Sequence, residues 1–277
     1  MKEKAYGKIN LSLNVINRRI DGYHNIDSIM LPVDLYDEIE LEIADSDSYE
    51  CNIDLPYDQH NIIYKCLGLM RREFDLKNHY SIKVTKNIPL SAGLAGGSSD
   101  GAAVLRMINE LEKLGLSYSQ LACFGKKIGA DIPFCIYQQA ARVRGIGEIV
   151  EPFHLPIGYE LLLIKPQLGV DTASAYQMLD LNKCQHPNIE EIKKSLLSRQ
   201  PLKKILGNSL QYSAFLLNPE VENIICEVNK LGYANVLMSG SGSTVFVLGY
   251  DGENLDELKK IMQKKYAFVY KTTILTM

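Results

Sequence analysis

The chain has 277 residues, 46% apolar and 23% charged, with 30 Lys and Arg against 33 Asp and Glu. That length fits one large domain or two lobes and is enough to bury a substantial core. A formal net charge of -3 lacks the basic excess of a nucleic-acid binder. No apolar stretch approaches the roughly 18 residues of a membrane span, so neither nucleic acid nor membrane is an expected partner.

The start, Met1-Lys2-Glu3-Lys4 ahead of a strand-like segment, has neither the apolar core of a signal peptide nor an Arg/Ser-rich transit character. The expected location is cytoplasmic. Six cysteines, at 51, 66, 123, 135, 184 and 226, show no C-x-x-C spacing and are expected to be reduced, mostly packed thiols.

Along the chain, Ile9, Leu11, Leu13 and Val15 alternate with Lys8, Asn10, Ser12 and Asn14, which predicts a strand with one apolar and one polar face. The cluster Arg18 to Gly22 marks a turn before Tyr23-His24. In-phase Ile39, Leu41 and Ile43 predict a strand over 36–44, and Ile62, Ile63, Cys66, Leu67 and Met70 a helix over 61–74. Another short strand is predicted over 80–84. The Gly/Ser-rich stretch from Pro89 to Gly101 then opens a helix carrying Val104, Leu105, Ile108 and Leu111. Ser117 to Gln120 reads as a capping box starting the next helix, with Gly129 as its left-handed stop. Pro133 is expected to hold Ile132 extended and lead into a strand over 134–137.

A buried strand is predicted from Tyr159, followed by helical patterns near 172–180, 188–197, 200–206 and 219–231. Strands at 234–238 and 244–248 flank a Gly/Ser turn, and a helix at 253–265 and a strand at 267–275 close the chain. Strands and helices in irregular order predict an α+β fold in two lobes, residues 1–155 and 156–277.

The chemistry concentrates in Pro89-Leu90-Ser91-Ala92-Gly93-Leu94-Ala95-Gly96-Gly97-Ser98-Ser99. Its glycines let backbone N–H groups approach an anion, and the following helix adds its positive end. It matches neither a Walker A loop nor a G-x-G-x-x-G fingerprint, which leaves a nucleotide-phosphate site of another kind. Lys8 and Asn10 share the polar face of the first strand, and Asp131 stands between a helix stop and a proline. If Lys8 and Asp131 meet, the carboxylate suits a base that takes a hydroxyl proton. The second glycine turn, Ser239 to Ser243, is weak alone, but two such loops favour one shared anionic ligand.

Lys8-Ile9-Asn10-Leu11, Asp21-Gly22-Tyr23-His24, Pro89 to Ser99 with Asp100, and Gly129-Ala130-Asp131-Ile132-Pro133 together resemble the motifs of the GHMP kinase superfamily. Ser239-Gly240-Ser241-Gly242 resembles its third motif, and the resemblance runs from residue 5 to about 248. It implies a two-lobed GHMP-kinase-like α+β fold with the active site in the cleft between lobes, and ATP-dependent phosphorylation of an alcohol. Asp21-Gly22-Tyr23-His24 points to the branch acting on the 2-hydroxyl of cytidine-diphosphate methylerythritol in non-mevalonate isoprenoid synthesis.

Carried over residue by residue, the resemblance makes Lys8 and Asp131 the catalytic pair and wraps Pro89 to Ser99 around the ATP phosphates. It sets Asn61 and Lys86 near the adenine. It gives Asn10, Tyr23, His24, Thr172 and Tyr176 to the cytidine substrate, with Tyr23 and Tyr176 stacking on cytosine and His24 bonding its edge. Mg2+ is expected with the nucleotide, without an assigned protein ligand, in a monomer or weak homodimer. Departures from the family pattern are Gly7 and Gly101 for alanine, Gln138-Gln139 for Gly-Gly, Gln211 for glutamate and Ser243 for proline. The competing readings are a kinase for mevalonate or homoserine, which Asp21 to His24 disfavours, and a silent nucleotide-binding sensor, which has no need of the Lys8 and Asp131 pair.

Overall fold

The computed structural model describes residues 1–156, 158–249 and 253–276. Its N-terminal sheet grows from one long hairpin: β1 (Lys2–Arg18) pairs antiparallel with β2 (His24–Ala44). Gly22, at φ 86, takes the left-handed turn that reverses the chain. β2 is longer than the predicted 36–44 because Ser28 to Val33 is buried on both faces, and a continuous apolar run hides the period of two. In β1 the register slips between Asn10 and Ser12. Ile9 and Leu11 therefore join one apolar cluster, and Leu13 and Val15 the other.

β3 (Ser48–Cys51), β4 (His79–Thr85), β5 (Ala141–Gly145) and β6 (Ile149–Pro152) complete this sheet in the order β3-β4-β2-β5-β6, with β1 on β2. Packed on it are α1 (Ile62–Phe74), α2 (Gly96–Leu111), α3 (Tyr118–Gly125) and α4 (Ile132–Tyr137). α4 corrects the predicted strand over 134–137. Pro133 sits in the first turn of a helix, where no N–H is needed and its fixed φ already fits. α3 also ends at Gly125 instead of running to Gly129. Overlapping turns through Lys127, Ile128 and Gly129 then carry the chain to Asp131.

The second sheet is antiparallel, β10-β7-β9-β8, from β7 (Glu160–Lys165), β8 (Val236–Met238), β9 (Val245–Leu248) and β10 (Phe268–Thr273). Its helices are α5 (Thr172–Gln177), α6 (Ile189–Leu197), α7 (Gln211–Leu217), α8 (Pro219–Lys230) and α9 (Leu255–Met262). The predicted helix over 200–206 is absent, since Arg199 and Lys204 take positive φ on either side of Pro201. α7 went unpredicted because Tyr212 to Leu217 carries too few polar residues to show a helical period.

The sheets part between β6 and β7, yet both apolar clusters draw on both. One joins Ile39 and Met107 to Leu162, Val228 and Val245, and the other joins Ile9, Leu11 and Ile29 to Leu161, Leu163 and Phe246. Each fully buried side chain of this size contributes about 1.5–3 kcal/mol, so the shared interior ties the halves together. No helix of the described residues is long and apolar enough to cross a membrane. The thiols are less packed than expected: Cys66 and Cys135 are buried, while Cys123 and Cys226 are exposed.

Candidate active site

The polar face of β1 is buried, not solvated. Lys8 is only 3% exposed, and its Nζ donates to Asn10 Oδ1 at 2.6 Å and to the Gly93 carbonyl at 3.3 Å. Asn10 Nδ2 donates to Ser28 Oγ at 2.8 Å, so both ends of that amide are engaged in fixing the ammonium. Asp131 Oδ2 lies 3.6 Å from Lys8 Nζ. Residues 123 positions apart in the chain thus meet as an ion pair, with the lysine side chain 4% exposed and the aspartate 32%.

The pair lines a cavity of about 960 Å3. One wall is the stretch Pro89 to Ser98. Ser91, Gly93 and Ala95 all take positive φ there (50, 72 and 57), which coils the loop tightly before α2. α2 begins without a side-chain cap bond, so the N–H groups of its first turn are available to an anion. The loop is braced by the second glycine turn: Ser239 Oγ donates to the Gly93 carbonyl at 3.0 Å, and the Thr244 N–H donates to the Ala92 carbonyl at 3.2 Å. That turn is itself pinned by Asn208 Nδ2, which donates to the carbonyls of Met238 and Gly240, each at 2.8 Å.

Another part of the wall carries Arg18, Tyr23, His24, Thr172 and Tyr176. Thr172 opens α5, and its hydroxyl meets Ser241 Oγ at 2.8 Å, joining this wall to the second glycine turn. The imidazole of His24 stacks on Tyr176, with centroids 5.1 Å apart and planes at 28°. Burial, aided by the charge of Arg18, pulls the His24 pKa below its usual value, so the ring is held toward its neutral form. Burial likewise pushes the Tyr176 phenol far up, keeping it neutral.

Of the sequence-predicted residues, Lys8, Asn10, Tyr23, His24, Asp131, Thr172, Tyr176 and Pro89 to Ser98 converge on this one cavity. Four of the expected residues are placed elsewhere or already bonded. Ser99 turns away, buried, with its hydroxyl donating to the Tyr6 carbonyl at 2.6 Å. Asn61 lies outside the cavity lining because its amide caps α1: Oδ1 accepts from the Ile63 N–H at 2.9 Å and Nδ2 donates to the Pro56 carbonyl at 2.9 Å. Lys86 lines the cavity, but its ammonium is committed to Asp37 and Asp100. Tyr176 stacks on His24, and Tyr23 lines the same cavity with 59% of its surface exposed. Sequence reasoning missed Arg18, Ser28 and Asn208. The doubled arginine before Asp21-Gly22 was the only sequence signal for the first.

The departures from the family pattern fit their surroundings. A Cβ on Gly101 would fall 2.6 Å from Ile62 Cγ2, and one on Gly7 would fall 3.3 Å from Ile88 Cδ1, so larger neighbours fill the space of the missing methyls. Gln211 Oε1 accepts from the Met238 N–H at 3.2 Å, an acceptor role a glutamate would also fill.

The model of the GHMP kinases N terminal domain matches residues 61–139, and that of the GHMP kinases C terminal domain matches residues 189–267. A 4-diphosphocytidyl-2-C-methyl-D-erythritol kinase of Bacillus cereus is 40% identical over 274 residues, spanning 95% of this chain and 94% of the relative, and one of Bacillus anthracis gives the same figures. Among solved structures, a 4-(cytidine 5'-diphospho)-2C-methyl-D-erythritol kinase superposes with a TM-score of 0.84 at 30% identity, covering 99% of both chains. A homoserine kinase from Cytophaga hutchinsonii superposes at 0.80 with 19% identity over 100% of this chain and 95% of its own, which shows the fold alone. With 40% identity over nearly its whole length, the chain belongs to the 4-diphosphocytidyl-2-C-methyl-D-erythritol kinase family of the GHMP kinases.

Proposed function

We propose that this chain transfers the γ-phosphoryl group of ATP to the 2-hydroxyl of 4-diphosphocytidyl-2-C-methyl-D-erythritol, in non-mevalonate isoprenoid synthesis. The observation carrying this reading is the Lys8 and Asp131 pair, 3.6 Å apart, in a cavity lined by both the glycine loop and the rings of His24 and Tyr176. The loop's backbone N–H groups and the start of α2 hold the nucleotide phosphates. The aromatic wall takes the cytosine, with His24 and Tyr176 as the rings nearest one another.

In the reaction the hydroxyl oxygen attacks the γ-phosphorus, the bond from that phosphorus to the β-bridging oxygen breaks, and ADP leaves. Asp131 accepts the hydroxyl proton, a role worth about 100-fold to 10000-fold in rate. Lys8 polarises the hydroxyl and offsets charge on the phosphoryl oxygens in flight. Its hydrogen bonds to Asn10 and Gly93 fix it beforehand, so little reorganisation is left to the reaction itself.

The fold family implies magnesium with the nucleotide. Among the described residues no group of three or more His, Cys, Asp or Glu could hold a metal. Among the described residues two carboxylates line the cavity, Asp131 facing Lys8 at 3.6 Å and Asp171 bonded to the first turn of α5. These residues do not make a protein-held site, and the ion belongs with the phosphate oxygens of the nucleotide. The working state is a cytoplasmic monomer or weak homodimer.

The test is ADP release from ATP with 4-diphosphocytidyl-2-C-methyl-D-erythritol, mevalonate and homoserine offered in turn. Turnover confined to the cytidine compound is expected. Faster turnover of mevalonate or homoserine, or none with any of the three, would overturn the reading.

A further inference from the structure

Beneath the glycine loop lies a buried charge cluster that the reaction itself does not use. Lys86, just past β4, donates to Asp100 Oδ2 at 2.6 Å and to Asp37 Oδ2. The three side chains are 3%, 4% and 0% exposed for Lys86, Asp100 and Asp37. Asp37 belongs to β2, and its other oxygen accepts from the N–H groups of Asn87 at 2.5 Å and Ile88 at 2.8 Å. Asp100 belongs to the first turns of α2, and its Oδ1 has no partner among the described residues. The hydrogen bond from Lys86 is thus its charge-assisted hold on the sheet, with Asp37 as the neighbouring carboxylate. The ammonium also lies 3.3 Å from where a Cβ on Gly96 would stand, directly against the first residue of α2.

We infer that Lys86 is a positioning residue for the nucleotide-phosphate loop, tying the start of α2 through Asp100 to the sheet through Asp37. The inference rests on reading Pro89 to Ser98 as the nucleotide site. A buried triad of this kind is costly to assemble, since each charge must leave water. Burial pushes the Asp100 carboxyl up to about 7 against the opposing pull of Lys86. A carboxyl kept in a place that resists its charge serves a bond that its geometry makes, here the one to Lys86. A hydrophobic side chain would pack α2 equally well but would leave its rotation and height above the sheet unfixed. The anion site formed by the first turn needs those fixed, because a displacement of about 1 Å there changes rate strongly.

The discriminating variant is Asp100→Ala. It removes the tether, keeps a strong helix former in α2 and leaves Asp37 and Lys86 as a balanced buried pair, so the fold is retained. Asp100→Asn restores an oxygen for Lys86 at the same place. Binding of a non-hydrolysable ATP analogue is measured by calorimetry, beside binding of 4-diphosphocytidyl-2-C-methyl-D-erythritol and the melting temperature. Asp100→Ala is expected to weaken the analogue about tenfold, the factor that about 1.4 kcal/mol represents, with the cytidine compound within about twofold of wild type. Asp100→Asn is expected to recover most of that loss. Unchanged analogue binding in Asp100→Ala, equal loss of both ligands, or no recovery in Asp100→Asn would each overturn the inference. Wild type that binds no analogue would remove the nucleotide reading and the inference together. Wild type that binds the analogue but does not phosphorylate the cytidine compound would overturn the proposed function alone.

Discussion

Gly93→Ala tests whether the site depends on the contact between its two glycine turns. Gly93 has φ 72, and a Cβ there would fall 2.9 Å from the Gly242 carbonyl oxygen and closer still to that of Ser239. Both obstacles are backbone, so the loop must withdraw by about 1 Å to reach ordinary contact. Withdrawal breaks the bonds from Ser239 Oγ and Lys8 Nζ to the Gly93 carbonyl. The left-handed backbone costs about 1–2 kcal/mol for alanine, and two lost hydrogen bonds add about 1 kcal/mol each. The expected destabilisation is about 3–4 kcal/mol, or roughly 6–16 °C in melting temperature for a chain of this size. Gly115→Ala is the control: its φ is 67, but nothing lies within 4 Å of the new Cβ and it is outside the cavity lining, so only the conformational part remains. Turnover separates them further. Gly93→Ala displaces Lys8 and is expected to lose about 100-fold, while Gly115→Ala stays within about threefold of wild type, less than the roughly 1 kcal/mol at which a binding contact is lost. Calorimetric melts and coupled ADP assays on both variants decide it. Equal loss of stability and turnover in the two would refute the argument from contact and leave only backbone strain.

Asp131→Asn is expected to lower kcat by at least about 100-fold, with the affinity for ATP analogues and the melting temperature little changed. Retention of more than about a tenth of wild-type turnover would exclude a base role. Gln138→Gly is expected to raise the melting temperature by about 2–4 °C, because Gln138 closes α4 at φ 51, where glycine has no steric penalty. Its kinetic constants should not move, since Gln138 lies outside the cavity lining. A lower melting temperature would show that the Gln138 bond to the Lys4 carbonyl outweighs the backbone strain.

The parts of the site legible in the sequence were those where the chemistry demands a run of particular residues. A loop that must offer backbone N–H groups needs glycines next to one another, and Gly93, Gly96 and Gly97 stand out whatever surrounds them. The helix start set by local capping was equally plain at Ser117, which caps α3 with the reciprocal box its pattern predicts. The failures fall where distant contacts decide. Residues 132–137 are apolar and short enough for strand or helix, and only packing of Ile132, Phe134 and Cys135 within the first apolar cluster settles it. Asn61 was read toward adenine through family likeness, while its amide is already used by Ile63 and Pro56. Spacing cannot show which hydrogen bonds a side chain has left.

Lys8 and Lys86 make the same point in energetic form. Both are buried lysines beside the glycine loop, and position alone would let either meet phosphate. An ammonium has three donors in tetrahedral array. Lys86 gives two of them to buried carboxylates in charge-assisted bonds, and turning toward a ligand would leave two carboxylates without their cation in a dry interior. Lys8 gives two to the neutral oxygens of Asn10 and Gly93 and faces Asp131 at 3.6 Å, too far for a hydrogen bond. Its third donor is the one not yet bonded, and its carboxylate partner is the one with a face toward solvent, 32% exposed. A phosphoryl oxygen arriving in the cavity can therefore take that donor without uncovering a buried charge. The same ammonium that holds a structure at residue 86 can act on a substrate at residue 8, and the difference is the charge and depth of what already surrounds it.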